Sequence, residues 1–87
     1  MPYSVVILES AKDELADLPK KIQTQIAARI EVLADNPRPP GVKLLHAAER
    51  IYRLRSGDYR LLYQIDDARQ LVIVTDIGNR KDIYRGL

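Results

Sequence analysis

The run Asn36-Pro37-Arg38-Pro39-Pro40-Gly41 constrains this chain more than any other. Its prolines remove backbone donors and hold the residues before them out of the helical region, so no regular element crosses it. On either side the apolar residues keep different periods. Before it, Ile22, Ile26, Ile30 and Leu33 recur at helical spacing. After it, residues 51–55 and 59–65 alternate, as a strand half-buried on one face does. The chain must therefore fold as a helical part laid against a sheet.

The remaining elements follow from local signals. Residues 3–8 form a short β-branched run, predicted as a strand. Ser10 and Asp13 have the spacing of a capping box, which predicts a helix over 11–18 carrying Ala11, Leu15 and Leu18 on one stripe. Pro19 can open a second helix over 20–35, since its missing N–H costs nothing there. Ser56-Gly57-Asp58 and Asp66-Asp67 read as turns, and 71–77 as a third, strongly apolar strand, buried on both faces or central in the sheet. The expected architecture is α+β in the order β-α-α-β-β-β. A small, largely antiparallel sheet carries the two N-terminal helices on one face, in a single domain over residues 1–87.

Composition narrows the function classes. At 46% hydrophobic and 30% charged residues the chain is neither disordered nor membrane-spanning. No basic region followed by an apolar stretch opens it, so no signal peptide is expected. With no cysteine and one histidine, neither a disulfide framework nor a thiolate or zinc site can form, and a reducing cytoplasm is the expected compartment. The formal charge of +2 hides an asymmetry. Residues 1–40 hold five basic and six acidic side chains, whereas 41–87 hold nine basic and six acidic, seven of the nine being arginine. Arginine suits a planar grip on phosphate or carboxylate, although a solvated strand face explains the charge equally well.

Phosphate loop, nucleophile elbow and histidine–carboxylate couple are all missing, and His46 reads as a residue packed at the sheet edge. What remains lies in residues 51–63. Alternation puts Arg53 and Arg55 on one face and Tyr52 and Leu54 on the other. On the next strand Tyr59, Leu61, Tyr63 and Ile65 make a core stripe, which leaves Arg60 with Leu62 and Gln64 on the opposite face. The tight turn then brings Arg53, Arg55 and Arg60 together on one open surface. Such a cluster suits a visiting polyanion, unless Asp58, Asp66 or Glu49 neutralises it. Near the chain end, Gly78 permits a change of direction, Ile83 anchors to the core, and Tyr84 stands among basic residues as an aromatic able to stack on a base.

The blocks Tyr-Arg-Leu-Arg-Ser-Gly-Asp-Tyr-Arg-Leu-Leu-Tyr at 52–63 and Ile-Gly-Asn-Arg-Lys-Asp-Ile-Tyr-Arg at 77–85 give the chain a family likeness. So do Leu-Pro-Lys at 18–20, Asn-Pro-Arg-Pro at 36–39 and Gly-Val-Lys-Leu-Leu at 41–45. The chain resembles the RelE family of the RelE/ParE superfamily, toxins of bacterial type II toxin–antitoxin modules that cut mRNA in the ribosomal decoding site. The resemblance implies an endoribonuclease that uses the 2′-hydroxyl as nucleophile, leaves a cyclic phosphate and requires no cofactor or metal. Carried over by position, it implies that Arg53 and Arg60 hold the scissile phosphate, with Arg55 beside them. Arg80 would stabilise or protonate the leaving 5′-oxygen, and Tyr84 would orient a base. Lys43, Lys81 and Arg85 would contact the RNA backbone. Well-known members carry lysine at the positions of Arg53 and Arg55, and arginine, unlike lysine, cannot act as a base at cellular pH.

The resemblance also implies a RelB-like antitoxin whose C-terminal segment wraps the toxin, operator contact only through that complex, the ribosome and mRNA as targets, and no membrane. Two other readings share the fold: a ParE-like toxin that poisons DNA gyrase without cutting RNA, and a non-toxic co-repressor relative.

Overall fold

A computed structural model of the chain describes residues 2–79. The expectations for Arg80, Lys81, Ile83, Tyr84 and Arg85, and for the packing of the His46 side chain, lie outside the described residues. Strand β1 (Ser4–Ile7) passes directly into helix α1 (Glu9–Ala16), and helix α2 (Lys20–Asp35) follows after a short link. Four strands complete the order: β2 (Lys43–His46), β3 (Ile51–Ser56), β4 (Tyr59–Asp66) and β5 (Leu71–Asn79). They form one sheet in the order β1-β5-β4-β3-β2, with β1 parallel to β5 and every other pair antiparallel. The α+β class, the two helices and the largely antiparallel sheet are as the sequence predicts.

The structure corrects two local expectations. Helix α1 begins at Glu9, so Ser10 lies inside its first turn and Leu8 is the N-cap residue, with no side-chain cap. The cause is that the Leu8 N–H still belongs to the sheet, donating to the Val74 carbonyl at 3.0 Å. A fifth strand, β2, pairs with the edge of β3. Its four residues are too short to show a period, and Leu45 is an extra residue between the Leu44 and His46 pairings. Of the two expectations for the apolar strand, β5 meets the second: it is interior to the sheet, and it is fully buried on one face, through Val72, Val74 and Ile77.

That last spacing departs from strict alternation because of a bulge. Leu62 opposes Asp76 while the next residue, Tyr63, opposes Val74, so Thr75 is the extra residue. Its hydroxyl donates to the Leu62 carbonyl at 3.3 Å. The bulge exchanges the two faces of β5 downstream: Ile77 turns to the core, and Asp76 turns to the face of Leu62.

The core lies between the sheet and the helices. Ala11 from α1 and Ile26, Ile30 and Leu33 from α2 meet Leu54, Leu61, Tyr63, Ile65, Val72, Val74 and Ile77. The helix ends find partners from neighbouring elements. Gln23 Nε2 donates to the Leu18 and Ala16 carbonyls at 2.7 and 3.2 Å, serving groups left open where α1 stops. The Ala34 carbonyl, near the end of α2, accepts the Tyr3 N–H at 2.6 Å.

The proline-rich segment is tied to the sheet by tyrosines and one ion pair. The buried Tyr63 hydroxyl donates to the Pro37 carbonyl at 2.7 Å, and burial makes it a weaker acid, with its pKa held well above the ordinary tyrosine value. Its ring stacks with Tyr52, centroids 5.8 Å apart. Arg38 lies over the Tyr52 ring and grips Asp67 with two nitrogens, at 3.1 and 2.8 Å. Tyr3 donates to the same carboxylate at 2.6 Å. Those donors, Arg38 first and Tyr3 second, hold the Asp67 carboxyl at about 2.

Candidate nucleic-acid interface

The hairpin between β3 and β4 sets the geometry of the basic face. Ser56 opposes Tyr59, so Gly57 and Asp58 form a two-residue connection. Gly57 has φ +62°, whereas Asp58 is not among the positive-φ residues. That is the pattern of a type II′ turn, which favours glycine at its first central position. The tight turn fixes the register: Arg55 directly opposes Arg60, and Arg53 opposes Leu62. Directly opposed residues share a face with Cα atoms about 4.5–5.5 Å apart. Arg53, Arg55 and Arg60 are thus brought together on the side of the sheet away from the core, as alternation predicts.

Two residues join that face through pairings that sequence does not reveal. Lys43 opposes Arg53 across the β2–β3 pair. Asp76, turned over by the bulge at Thr75, opposes Leu62 and brings a half-buried carboxylate to the arginine face. No sequence signal marks this reversal, since uninterrupted alternation from Val72 and Val74 would point Asp76 into the core.

Arg60 departs from the expected open surface. It is only 5% exposed, because it sits on β4, the middle strand, with β3 and β5 on both sides. Its Nε is buried, and among the described residues it has no hydrogen-bond partner. A buried charged donor left without an acceptor is expensive, and an anion delivered from outside removes that cost. Of the carboxylates that could neutralise the cluster, Asp66 is occupied elsewhere: it accepts the Arg69 N–H at 3.1 Å and lies 3.8 Å from its guanidinium. Among the described residues no ion pair joins Arg55 or Arg60 to a carboxylate.

Beside this face lies an open depression of about 340 Å³. Lys43, Arg53 and Arg55 line it from the sheet, Pro40 and Gly41 from the proline-rich segment, and Arg29 from α2. Arg29 is a residue that sequence reasoning missed, since one cation on the exposed flank of an amphipathic helix carries no signal of its own. At the opposite edge, Glu14 of α1 approaches the end of β5. Burial there raises its carboxyl above the usual range, a hydrogen bond with the Ile77 backbone opposes the rise, and the nearby Asp76 adds to it. Among the described residues no helix is long and apolar enough to cross a membrane.

Comparison with known proteins gives a consistent picture. Residues 5–84 match the family described as ParE toxin of type II toxin-antitoxin system, parDE. Toxin RelG of Mycobacterium tuberculosis is 36% identical, over 98% of this chain and 99% of its own length. Toxin RelE of the same organism is 38% identical, over 97% and 88%. The mRNA interferase toxin RelE of Escherichia coli K12 is 29% identical, over 93% and 86%. Among solved structures, the toxin–antitoxin complex RelBE2 of M. tuberculosis matches with a TM-score of 0.80 at 29% identity, covering 92% of this chain and all of that one. The RelE–RelB complex of Pyrococcus horikoshii matches at 0.83 and 25% identity, covering 94% and 99%.

Proposed function

We propose, from the premise that this chain belongs to the RelE/ParE family of type II toxin–antitoxin toxins, that it is an mRNA interferase: an endoribonuclease that halts translation by cutting mRNA. The observation that carries this reading is Arg60, buried on the middle strand with Arg55 opposite it and its Nε without an acceptor among the described residues. A site of this kind suits the extra negative charge that a phosphodiester gathers on the way to a pentavalent transition state.

In the reaction the 2′-oxygen bonds to phosphorus, the bond from phosphorus to the 5′-oxygen breaks, and a 2′,3′-cyclic phosphate and a 5′-hydroxyl result. The 2′ proton is lost and the leaving oxygen gains one. Arg60 and Arg53 hold the non-bridging oxygens, and Arg55 adds to the field. Arginine stays protonated and cannot take the 2′ proton. Asp76, a carboxylate on the same face by register, can. Arg80 is proposed to stabilise the leaving 5′-oxygen by its charge while solvent supplies that oxygen's proton, since a guanidinium does not release one; Tyr84 orients the base, with Lys81 and Arg85 on the RNA backbone. With no strong base beside the phosphate, alignment of the 2′-oxygen must supply much of the rate, and a ribosome that bends and fixes the mRNA would provide it.

The partner follows the same line. The related RelE chains occur in complexes with RelB antitoxins. This chain is proposed to bind a RelB-like antitoxin that brings acidic side chains to the arginine face.

A second reading keeps a claim because the matching family bears the ParE description: a toxin that blocks DNA gyrase and cuts no RNA. Induction of the chain in growing cells, with mRNA ends mapped and plasmid supercoiling measured, separates the two. Cuts inside translated codons are expected. Supercoiling defects with intact mRNA would replace this reading with the second.

A further inference from the structure

The depression at the β2–β3 edge continues the basic face around the end of the sheet. Lys43, Arg53 and Arg55 reach it from the strands, whereas Arg29 comes from α2, which packs on the core side. Four cations surround one hollow of about 340 Å³, and none of its described lining residues is a carboxylate. Like charges gathered this closely repel, and an anion between them reverses the sign of the interaction. The hollow also has apolar wall, from Leu54 and Pro40. Its volume lies at the small end of ligand sites, roughly 300 Å³ and upward, which suits a single nucleotide.

The walls are set in place before any ligand arrives. Arg29 stands in the middle of a 16-residue helix whose other face is buried in the core. The segment bearing Pro40 is tied down by the Tyr63–Pro37 hydrogen bond and the Arg38–Asp67 pair. We infer that this depression is a second phosphate subsite, which takes a nucleotide flanking the one that is cut, with Arg29 as its helix-borne wall. The inference rests on the RNA reading of the arginine face. It adds a contact on the far side of the sheet edge, so the RNA strand turns around that edge instead of crossing the arginine face alone.

The test measures binding of a twelve-nucleotide single-stranded RNA with 2′-O-methyl riboses, which cannot be cut, by fluorescence anisotropy from 50 to 200 mM KCl. Loss of one phosphate contact lowers the slope of log affinity against log salt by roughly 0.7 for a single strand. Arg29→Ala is expected to show that drop, with several-fold weaker binding at each salt concentration, and Arg29→Lys to recover most of both. In cleavage of ribosome-bound mRNA the loss should fall on KM more than on kcat. Unchanged affinity and slope in Arg29→Ala would overturn the inference, as would weakened binding of an acidic antitoxin peptide with RNA binding intact. If the wild-type protein itself neither binds nor cuts RNA, the reading of the arginine face fails; if it cuts and Arg29→Ala behaves identically, only the second subsite fails.

Discussion

Arg60 and Tyr63 lie three residues apart on β4 and point to opposite faces, and both are buried. Tyr63 is a satisfied group: its hydroxyl has the Pro37 carbonyl, and its ring has Tyr52. Tyr63→Phe removes the donor and leaves a buried carbonyl open, so it should lower unfolding free energy by about 1–2 kcal/mol in urea titration. Growth arrest in cells should persist. Arg60 has the opposite character, with no acceptor for its Nε among the described residues. Arg60→Ala should leave the urea midpoint close to wild type and reduce the cleavage rate by about 10²–10³, the usual loss for one preorganised charge contact. A variant that still arrests growth would remove Arg60 from the site. The contrast between the partnered Tyr63 hydroxyl and the Arg60 Nε was only partly legible in the sequence. Alternation assigns the faces correctly, but the burial of Arg60 depends on strands supplied by distant parts of the chain.

At the scale of elements, the hairpin turn and the β5 bulge matter most, because each sets which residues share a face. Gly57 has φ +62°, and nothing lies within 4 Å of where a Cβ would stand. The cost of Gly57→Ala is therefore backbone strain alone, about 1–2 kcal/mol, without a steric clash. Thermal melting should show the loss, and cleavage by the folded fraction should be unchanged unless the Arg55–Arg60 register slips. A short turn with serine, glycine and aspartate announces itself in sequence because its chemistry is local. The Thr75 bulge does not, and neither does β2, since pairing partners define both.

Over the whole molecule, the Tyr3, Arg38 and Asp67 cluster links β1, the proline-rich segment and the β4–β5 turn. The folded Asp67 carboxyl titrates at about 2, below its ordinary value near 3.8. Its contribution is complete above pH 4 and is lost as pH falls through about 2. Wild type and Asp67→Asn should differ in melting temperature at pH 6 and converge as the pH falls through that window. A constant difference down to pH 2 would show that the cluster acts through shape and not through charge. The state of the substrate provides a second test at this scale. Cleavage of translated mRNA should far exceed that of the same RNA free in solution at physiological salt, since the site lacks a strong base and depends on an aligned substrate. Equal rates on both would refute ribosome dependence.

By itself the sequence determined the two-layer division, the core stripes of α2 and β4, and the common face of Arg53, Arg55 and Arg60. Each of these follows from periods of 3.6 or 2 along one stretch of backbone, or from a turn joining adjacent stretches. Only the tertiary structure decided that Lys43 stands beside Arg53, that Asp76 faces the arginines, that Arg60 is buried, and that Arg29 reaches the same depression as Arg55. These depend on which distant segments pair and where a pairing gains an extra residue. A strand's period records which of its residues share a face, and the strands paired on either side decide what that face meets.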